Sequence, residues 1–540
     1  METREQYEVF EIIDDFRRRA AKRASLDAGW NLNYEFVKGK QFSRINPDLS
    51  LSESERDFYW QQRTVYNHIA PIVEARLSRL ARINPVMSVR PISDDADDIS
   101  AAKLSSKILS SLRHKLQFDE KINEGTMWAE IVGSIFYKVV WDTEAGDVLA
   151  LDGESAYRAG EVRIEVCPPF EIYPASLEQS TIEEQSSIMH AKSVPLAEIF
   201  DRWGVLVEGK DGYALVIEKY ERPSATNPNG RLCIVAGDKM VYKGELPYVI
   251  GEDGERALPF VKQDCLKSAG SFFGVSVVDR LIPLQKAYNS VKNRKHEFLN
   301  RLAMGVLAVE DGSVDIENLE EEGLSPGKIL VYRMGSTPPK FLDGGNVPEE
   351  FNDEEEKLLN EFVTVSGVSE ILSASGISSR ITSATALQLL IEQEEERINL
   401  TAVNQNNALI KISKFALRLY KQFGKSMRLT KLVGKTNAAE IVKWKNSDIG
   451  SDDIVFEASS SSSHTARREL LFETVNAGLF DGESKIPAST KSKLLEILGF
   501  GSWEFADGSE DSQAKQKDEM PQDATQTMAT KADGENSSVS

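Results

Sequence analysis

Cysteine is scarce in this chain. The 540 residues include three, Cys167, Cys233 and Cys265. They are far apart and form no CxxC pair, which argues for a reducing compartment and against both a disulfide framework and a cysteine zinc site. Long apolar runs are missing too. The strongest, Ile131 to Trp141, is short and interrupted by Lys138, so nothing approaches transmembrane length. The opening Met1-Glu-Thr-Arg-Glu-Gln lacks the apolar core of a signal peptide. Histidine is thin and scattered: His68, His114, His190, His296 and His464 form no HxxxH pair and no local carboxylate constellation. Each reads as a hydrogen-bonded residue rather than a ligand.

Catalytic motifs are equally absent. Gly424-Lys-Ser426 and Gly434-Lys-Thr436 lack the glycine that a phosphate loop carries five residues earlier; Leu419 and Leu429 stand there. Gly424 instead suits a helix end. Ser100-Ala-Ala-Lys103 has SxxK spacing without its SDN and KTG companions, and no GxSxG occurs. The sequence therefore predicts no enzyme, no cofactor and no metal.

What is present is acid and long helices. Asp and Glu number 85 against 64 Lys and Arg, a net charge of −21. That balance excludes an ordinary tight duplex binder, which neutralises phosphates with cations. Simple solubility accounts for the acidity, and so does a protein that lets DNA pass without sticking; composition alone does not choose between them. With 41% hydrophobic and 28% charged residues the composition is that of a globular chain, and its length exceeds what one core organises.

Along the chain, residues 1–30 read as an amphipathic helix whose basic stretch, Arg17-Arg-Arg19 with Lys22-Arg23, is a solvated face rather than a nucleic-acid contact. A helix follows Tyr66-Asn-His-Ile-Ala-Pro71 and stops before Asn84-Pro85. Gly133 precedes a strand through Phe136 to Trp141, and Val162 to Val166 alternates as a half-buried strand does. Further strands cover Leu215 to Tyr220 and Leu232 to Val235, with a short helix over Leu196 to Trp203. Residues 31–275 read as one α+β domain.

From Ser276 the pattern changes to a long helix, an acidic insert with strand-like runs Val306 to Val309 and Ile329 to Tyr332, a second helix, a Ser/Gly segment and a very long third helix. The first helix is basic (Lys286, Lys292, Arg294, Lys295 and Arg301 against Glu297). The second is acidic (Glu349, Glu350, Asp353 to Glu356 and Glu361 against Lys357). Two such helices can pair within a subunit or between neighbours, where charge specifies partner and register.

Taken in order, Asn67-His-Ile-Ala-Pro71 with Asn84-Pro85, Gly133 and its strand, Gly274-Val-Ser276 leading to Gln285 and Asn289, and Thr382-Ser-Ala-Thr-Ala386 make the chain resemble a tailed-phage portal protein, of the short-tailed type. The likeness spans residues 30–425. It implies an α+β multidomain chain: an N-terminal helix (1–30), an α+β wing (31–275), a first stem helix (276–303), a β-containing clip (304–346), a second stem helix (347–371), a tunnel loop (372–381), a long wing helix (382–424), a return to the wing (425–464) and a small helical crown (465–500). Residues 501–540 are too polar to bury a core and are expected to be disordered.

The resemblance also implies function. Such proteins form a dodecameric ring at one capsid vertex of the virion, assembled in the host cytoplasm with scaffold and major capsid proteins. Double-stranded DNA is driven through the ring by terminase and later leaves through it; no membrane is involved. The clip would dock the terminase large subunit and then a head-completion or tail adaptor through Asp311, Asp315, Glu317, Glu320, Glu321 and Glu322. Ser373, Ser375, Ser378 and Ser379 would line the channel, with Arg380 adding a ring of positive charge. Lys292, Arg294 and Lys295 would meet Glu354 and Glu355 between subunits. A helical scaffold or filament subunit is the alternative, opposed by the breaks at Ser366-Gly-Val and Ser375-Gly-Ile-Ser-Ser, which end any heptad. An unrecognised nucleic-acid enzyme fails on the motifs above.

Overall fold

The computed structural model describes residues 2–56, 61–82, 86–152, 155–251, 254–304, 306–314, 330–342, 348–368, 384–425, 428–433, 439–450 and 453–457. All lie in the first of two units, Met1–Glu457. The expected tunnel loop (372–381), crown (465–500) and polar tail (501–540) fall outside the described residues.

Eight helices and two larger sheets make up an α+β fold among these residues. The helices are α1 (Glu2–Val37), α2 (Ile69–Arg82), α3 (Ala96–Lys115), α4 (Phe118–Val132), α5 (Leu196–Trp203), α6 (Val277–Met304), α7 (Glu350–Ser366) and α8 (Ala384–Phe423). A three-stranded antiparallel sheet has the order Phe260–Asp264, Ser134–Asp142, Glu161–Cys167. A five-stranded antiparallel sheet has the order Lys239–Gly244, Arg231–Ala236, Tyr213–Glu221, Ser187–Pro195, Ile172–Pro174. Two-stranded pairs complete the set. One joins Val86–Val89 to Ile454–Glu457, so the chain after α8 comes back to the region before α3.

The core forms where helices cover the smaller sheet. Ile135, Phe136, Tyr137 and Val139 are fully buried in its central strand, and burial of consecutive residues is expected when both faces of a strand are covered; the intervening Lys138 is buried too and pairs with Glu218. The entry to that strand needs Gly133. Its φ is +94°, and a Cβ there would sit 2.4 Å from the Gly274 carbonyl oxygen, too close for any side chain. The tight crossing is closed by Cys265 N–H donating to Gly133 O at 2.9 Å and Gly274 N–H donating to Ser134 Oγ at 2.7 Å. Both glycines thus do one job, letting two backbones touch. From the same side α8, 40 residues long, lays Ala408, Leu409, Ile412, Ala416 and Tyr420 into the core. At 1.5 Å per residue it runs on the order of 60 Å.

Three expectations change. The N-terminal helix does not stop near residue 30 but runs to Val37, and its basic stretch is not simply a solvated face. Arg17, Arg18 and Lys22 are exposed, whereas Arg23 is buried, donating to the carbonyls of Pro169, Phe170 and Ile172 and lying 3.8 Å over the Tyr173 ring. Arg19 donates to Tyr173 O and Ser187 O. These arginines tie α1 to the carbonyls of the turn and edge strand from Pro169 to Tyr173 and to Ser187. In the insert, Val306–Ala308 pairs with Lys340–Leu342 and not with the run ending at Tyr332, whose residues 330–332 are not strand. And α7 ends at Ser366 rather than 371: Gly367, at φ +73°, caps it with its N–H on Val363 O at 2.9 Å.

One buried charge pair joins four helices. Arg76 on α2 grips Glu130 on α4 with both arms (2.7 and 3.1 Å) and donates to the Ser366 carbonyl at the end of α7 (2.8 Å) and to Thr401 Oγ1 on α8 (3.1 Å). Arg79 adds a bond to Gly367 O at 3.3 Å, so two cations sit at the negative end of α7. Arg76→Met should destabilise the fold by about 3–5 kcal/mol because it strands the Glu130 carboxylate. Adding Glu130→Gln should return part of that loss. Urea unfolding of the two single variants and the double measures it; purely additive losses would show that the pair is not coupled.

Candidate functional site

Among the described residues, those singled out in the sequence as site residues lie on the hairpin of α6 and α7 and the insert between them. The base of the hairpin is set by an unusual form of pairing. Gln285, Asn289, Asn293 and Glu297 recur every four residues and so share one face of α6. Opposite them the chain from Gln62 to His68 is extended. His68 N–H donates to Gln285 Oε1 (2.9 Å), Tyr66 N–H to Asn289 Oδ1 (3.0 Å), Thr64 N–H to Asn293 Oδ1 (3.0 Å) and Gln62 N–H to Glu297 Oε1 (2.9 Å). Two amides return the favour, Gln285 Nε2 to Tyr66 O and Asn293 Nδ2 to Thr64 O. The registers match because four helical residues rise about 6.0 Å and two extended residues about 6.6 Å. A helix face thus stands in for a neighbouring strand.

The ladder continues into α1 and α2. Asn289 Nδ2 donates to Gln41 Oε1 at 2.6 Å, and Gln41 Nε2 donates to Asn67 Oδ1 and Phe36 O. Asn67 Oδ1 also accepts from the N–H groups of Ile69 and Ala70, capping α2, while its amide holds Val37 O. Gln285 and Asn289 are both buried, where amides need full partnership.

The second helix docks antiparallel on the first. Tyr288 meets Phe362, Lys292 meets Glu355, Lys295 meets Asn352 and Phe298 meets Phe351, so positions rise on one helix as they fall on the other. Leu358, Leu359 and Phe362 are buried, on one stripe. Glu355 is the polar centre, accepting from Lys292, from Lys295 at 3.1 Å and from Tyr288 Oη at 3.2 Å. Burial works against its charge, but the bonds from Lys292 and Lys295 hold its carboxyl below the ordinary value. His68 sits against Tyr288 at 4.6 Å between ring centroids; burial, then the Lys292 charge, lowers its pKa.

Of the five residues expected between subunits, three therefore meet inside one chain: Lys292, Lys295 and Glu355. Helix geometry explains the division. Residues 288, 292 and 295 share the face toward α7, whereas Arg294 points elsewhere and is exposed, as is Glu354. Arg294 joins Arg44, Arg63 and Lys286 around a cavity of about 370 Å³ on the far side of the ladder. Reading the charges as a block hid this split.

At the other end of the hairpin, Asp311 is exposed in a turn. Asp315, Glu317, Glu320, Glu321 and Glu322 lie outside the described residues, as do Ser373, Ser375, Ser378, Ser379 and Arg380. Sequence reasoning missed an apolar feature of the tip: Val331, Tyr332 and Met334 are 79%, 46% and 101% exposed. It also missed a buried cluster in the body, Cys167, Glu171 and His190, whose donor atoms all lie within 4.8 Å of one another. No spacing rule links residues on two sheets.

Compared with protein-family models and with curated proteins, the chain matches none.

Because the Glu355 carboxyl is held below its ordinary 4.5, its contribution is present above that value and is lost as pH falls through the lowered one. Glu355→Gln should cost about 1 kcal/mol at pH 7, and the difference from the parent should shrink as the pH is taken down through the lowered value to an acid end point where both side chains are neutral. Urea midpoints at the two pH values test this. An equal loss at both would mean that the carboxylate charge is not what Lys292 and Lys295 hold.

Proposed function

We propose that this chain is the subunit of a closed ring, in the likeness of a tailed-phage portal protein, through which double-stranded DNA is packaged and released. The observation that carries the reading is the α6–α7 hairpin. Two antiparallel helices are held by the amide ladder along α6 from Gln285 to Glu297 and by Arg76 at the end of α7, and they bracket an insert that presents a strand pair, Asp311 and exposed apolar side chains. That arrangement presents a tip while holding its angle fixed, as a docking device on a repeated subunit requires.

Charge and surface support it further. The net charge of −21 keeps DNA from adhering to a channel wall. Apolar side chains are exposed on three separate elements: Tyr7 and Phe10 on α1, Val331 and Met334 at the tip, Leu400 and Val403 on α8. Single exposed apolar side chains are ordinary on a protein surface; Arg294 and Glu354 are the outward charges left for contact between copies of the chain. The segment 372–381 lies in sequence between α7, whose end Arg76 holds at the Ser366 carbonyl, and α8, which Arg76 meets at Thr401. A loop of small hydroxyl residues with Arg380 suits weak, easily released phosphate contact. In this reading the ring is not an enzyme; the terminase supplies the motor and docks with the tail adaptor on the insert.

Two variants test it in a packaging system. With Asp311, Asp315, Glu317, Glu320, Glu321 and Glu322 all neutralised, rings should form and packaging should fail; packaging at the parent level would remove the docking role. Arg380→Glu should leave rings intact and lower packaged DNA per capsid several-fold, and a cross-linker at residue 378 should capture DNA. Unchanged packaging with no cross-link would place the loop outside any channel and end this reading.

A further inference from the structure

The chain crosses from one sheet to the other at Cys167-Pro-Pro-Phe-Glu171. Cys167 ends the Glu161–Cys167 strand of the three-stranded sheet. Pro168 and Pro169 turn the chain, and Glu171 N–H closes on Pro168 O at 3.0 Å. The next residues form the edge strand of the five-stranded sheet, where Ile172 stands opposite His190. The turn is so short that the thiol and the carboxylate return to the same point, beside the imidazole. Cys167 is fully buried and His190 nearly so; the Glu171 side chain is 30% exposed and opens one side to water.

We propose that Cys167, Glu171 and His190 bind a divalent transition ion, Zn²⁺ by chemistry, with a water in the fourth position, and that the ion ties the two sheets together. Thiolate, imidazole and carboxylate are the donor types that zinc takes, at bond lengths of about 2.0–2.3 Å. Such bonds place tetrahedral ligands roughly 3.3–3.7 Å apart. The His190 Nε2 to Glu171 Oε2 separation of 3.1 Å already approaches this, and all three donors lie within 4.8 Å.

The surroundings carry a second, independent indication. With Nε2 turned to Glu171, the other ring nitrogen faces a second carboxylate, Glu218 Oε2, at 3.6 Å. Metal-bound histidines donate their far ring N–H to a carboxylate, and this contact would need to close by about half an ångström to make that bond. Glu218 is itself fixed by Lys138 Nζ at 2.5 Å and by Tyr220 Oη at 2.7 Å. Lys138 Nζ also lies 3.4 Å from His190 Nδ1, so a bare dication here would meet a buried cation. A thiolate and a carboxylate bring two negative charges to the ion and remove that conflict. As the Zn–S bond forms, the thiol proton leaves to solvent through the Glu171 side.

Cobalt reports the site directly. Full-length protein stripped with a chelator and titrated with Co²⁺ should take up one equivalent per chain and show a thiolate-to-cobalt charge-transfer band. Cys167→Ser should abolish the band, whereas Cys233→Ser, at another buried cysteine of the five-stranded sheet, should keep it. Glu171→Gln, at the partly exposed ligand, should fold as the parent does and bind at least about tenfold more weakly, since losing a ligand costs no less than losing one of its outer partners. Added Zn²⁺ should raise the melting temperature of the parent more than that of Glu171→Gln at the same concentration. If Cys167→Ser does not fold, the Glu171→Gln comparison carries the test alone. A folded parent without the band, a band surviving Cys167→Ser, or a zinc-induced melting shift unchanged in Glu171→Gln would each overturn the assignment.

Discussion

The α6–α7 hairpin depends on a helix face acting as a sheet edge. The extended segment from Gln62 to His68 carries alternate N–H groups that would otherwise need a strand. Gln285, Asn289, Asn293 and Glu297 supply the acceptors instead. Because four helical residues and two extended ones advance by nearly the same distance, the match continues over several repeats. Buried amides leave little freedom here, since each unmade bond costs about 1–3 kcal/mol. The direction in which α6 leaves the body is therefore fixed. From there the constraint is passed on: α7 follows α6 through Glu355 and Phe362, and Arg76 joins the end of α7 to α4 and α8.

Helices and half-buried strands were largely legible in the sequence because they repeat locally. Leu196–Trp203 and the long helix ending before Gly424 emerge close to their expected bounds, each marked by periodicity and a glycine stop. Gly133, Gly274, Gln285 and Asn289 could be picked out but not explained. Their reason is a contact between segments over a hundred residues apart, the backbone crossing in one case and the amide ladder in the other. Ile329 to Tyr332 looked like a strand by composition, yet pairing went to Lys340–Leu342; strand partners are set by tertiary packing, which no local run encodes.

The candidate site was legible in part for a related reason. Net helix charge correctly marked α6 and α7 as complementary, but rotation about each helix decides which charges meet, and Arg294 faces away from α7. The basic stretch of α1 looked like surface because a cluster of arginines is usually solvated, and only the fold brings the carbonyls of a distant turn and strand to Arg19 and Arg23. Cys167 and His190 carried no signal at all, being brought together by two sheets meeting at a proline turn.

A hairpin held rigidly on an acidic body gains its use only by repetition, so closure of a ring is the central claim. Negative-stain images of the purified full-length protein, taken with its native mass, test this most directly. The account predicts closed rings with a stained central hole and a mass near twelve times the 60.1 kDa chain. Monomers throughout the concentration range, or open filaments without a hole, would contradict it.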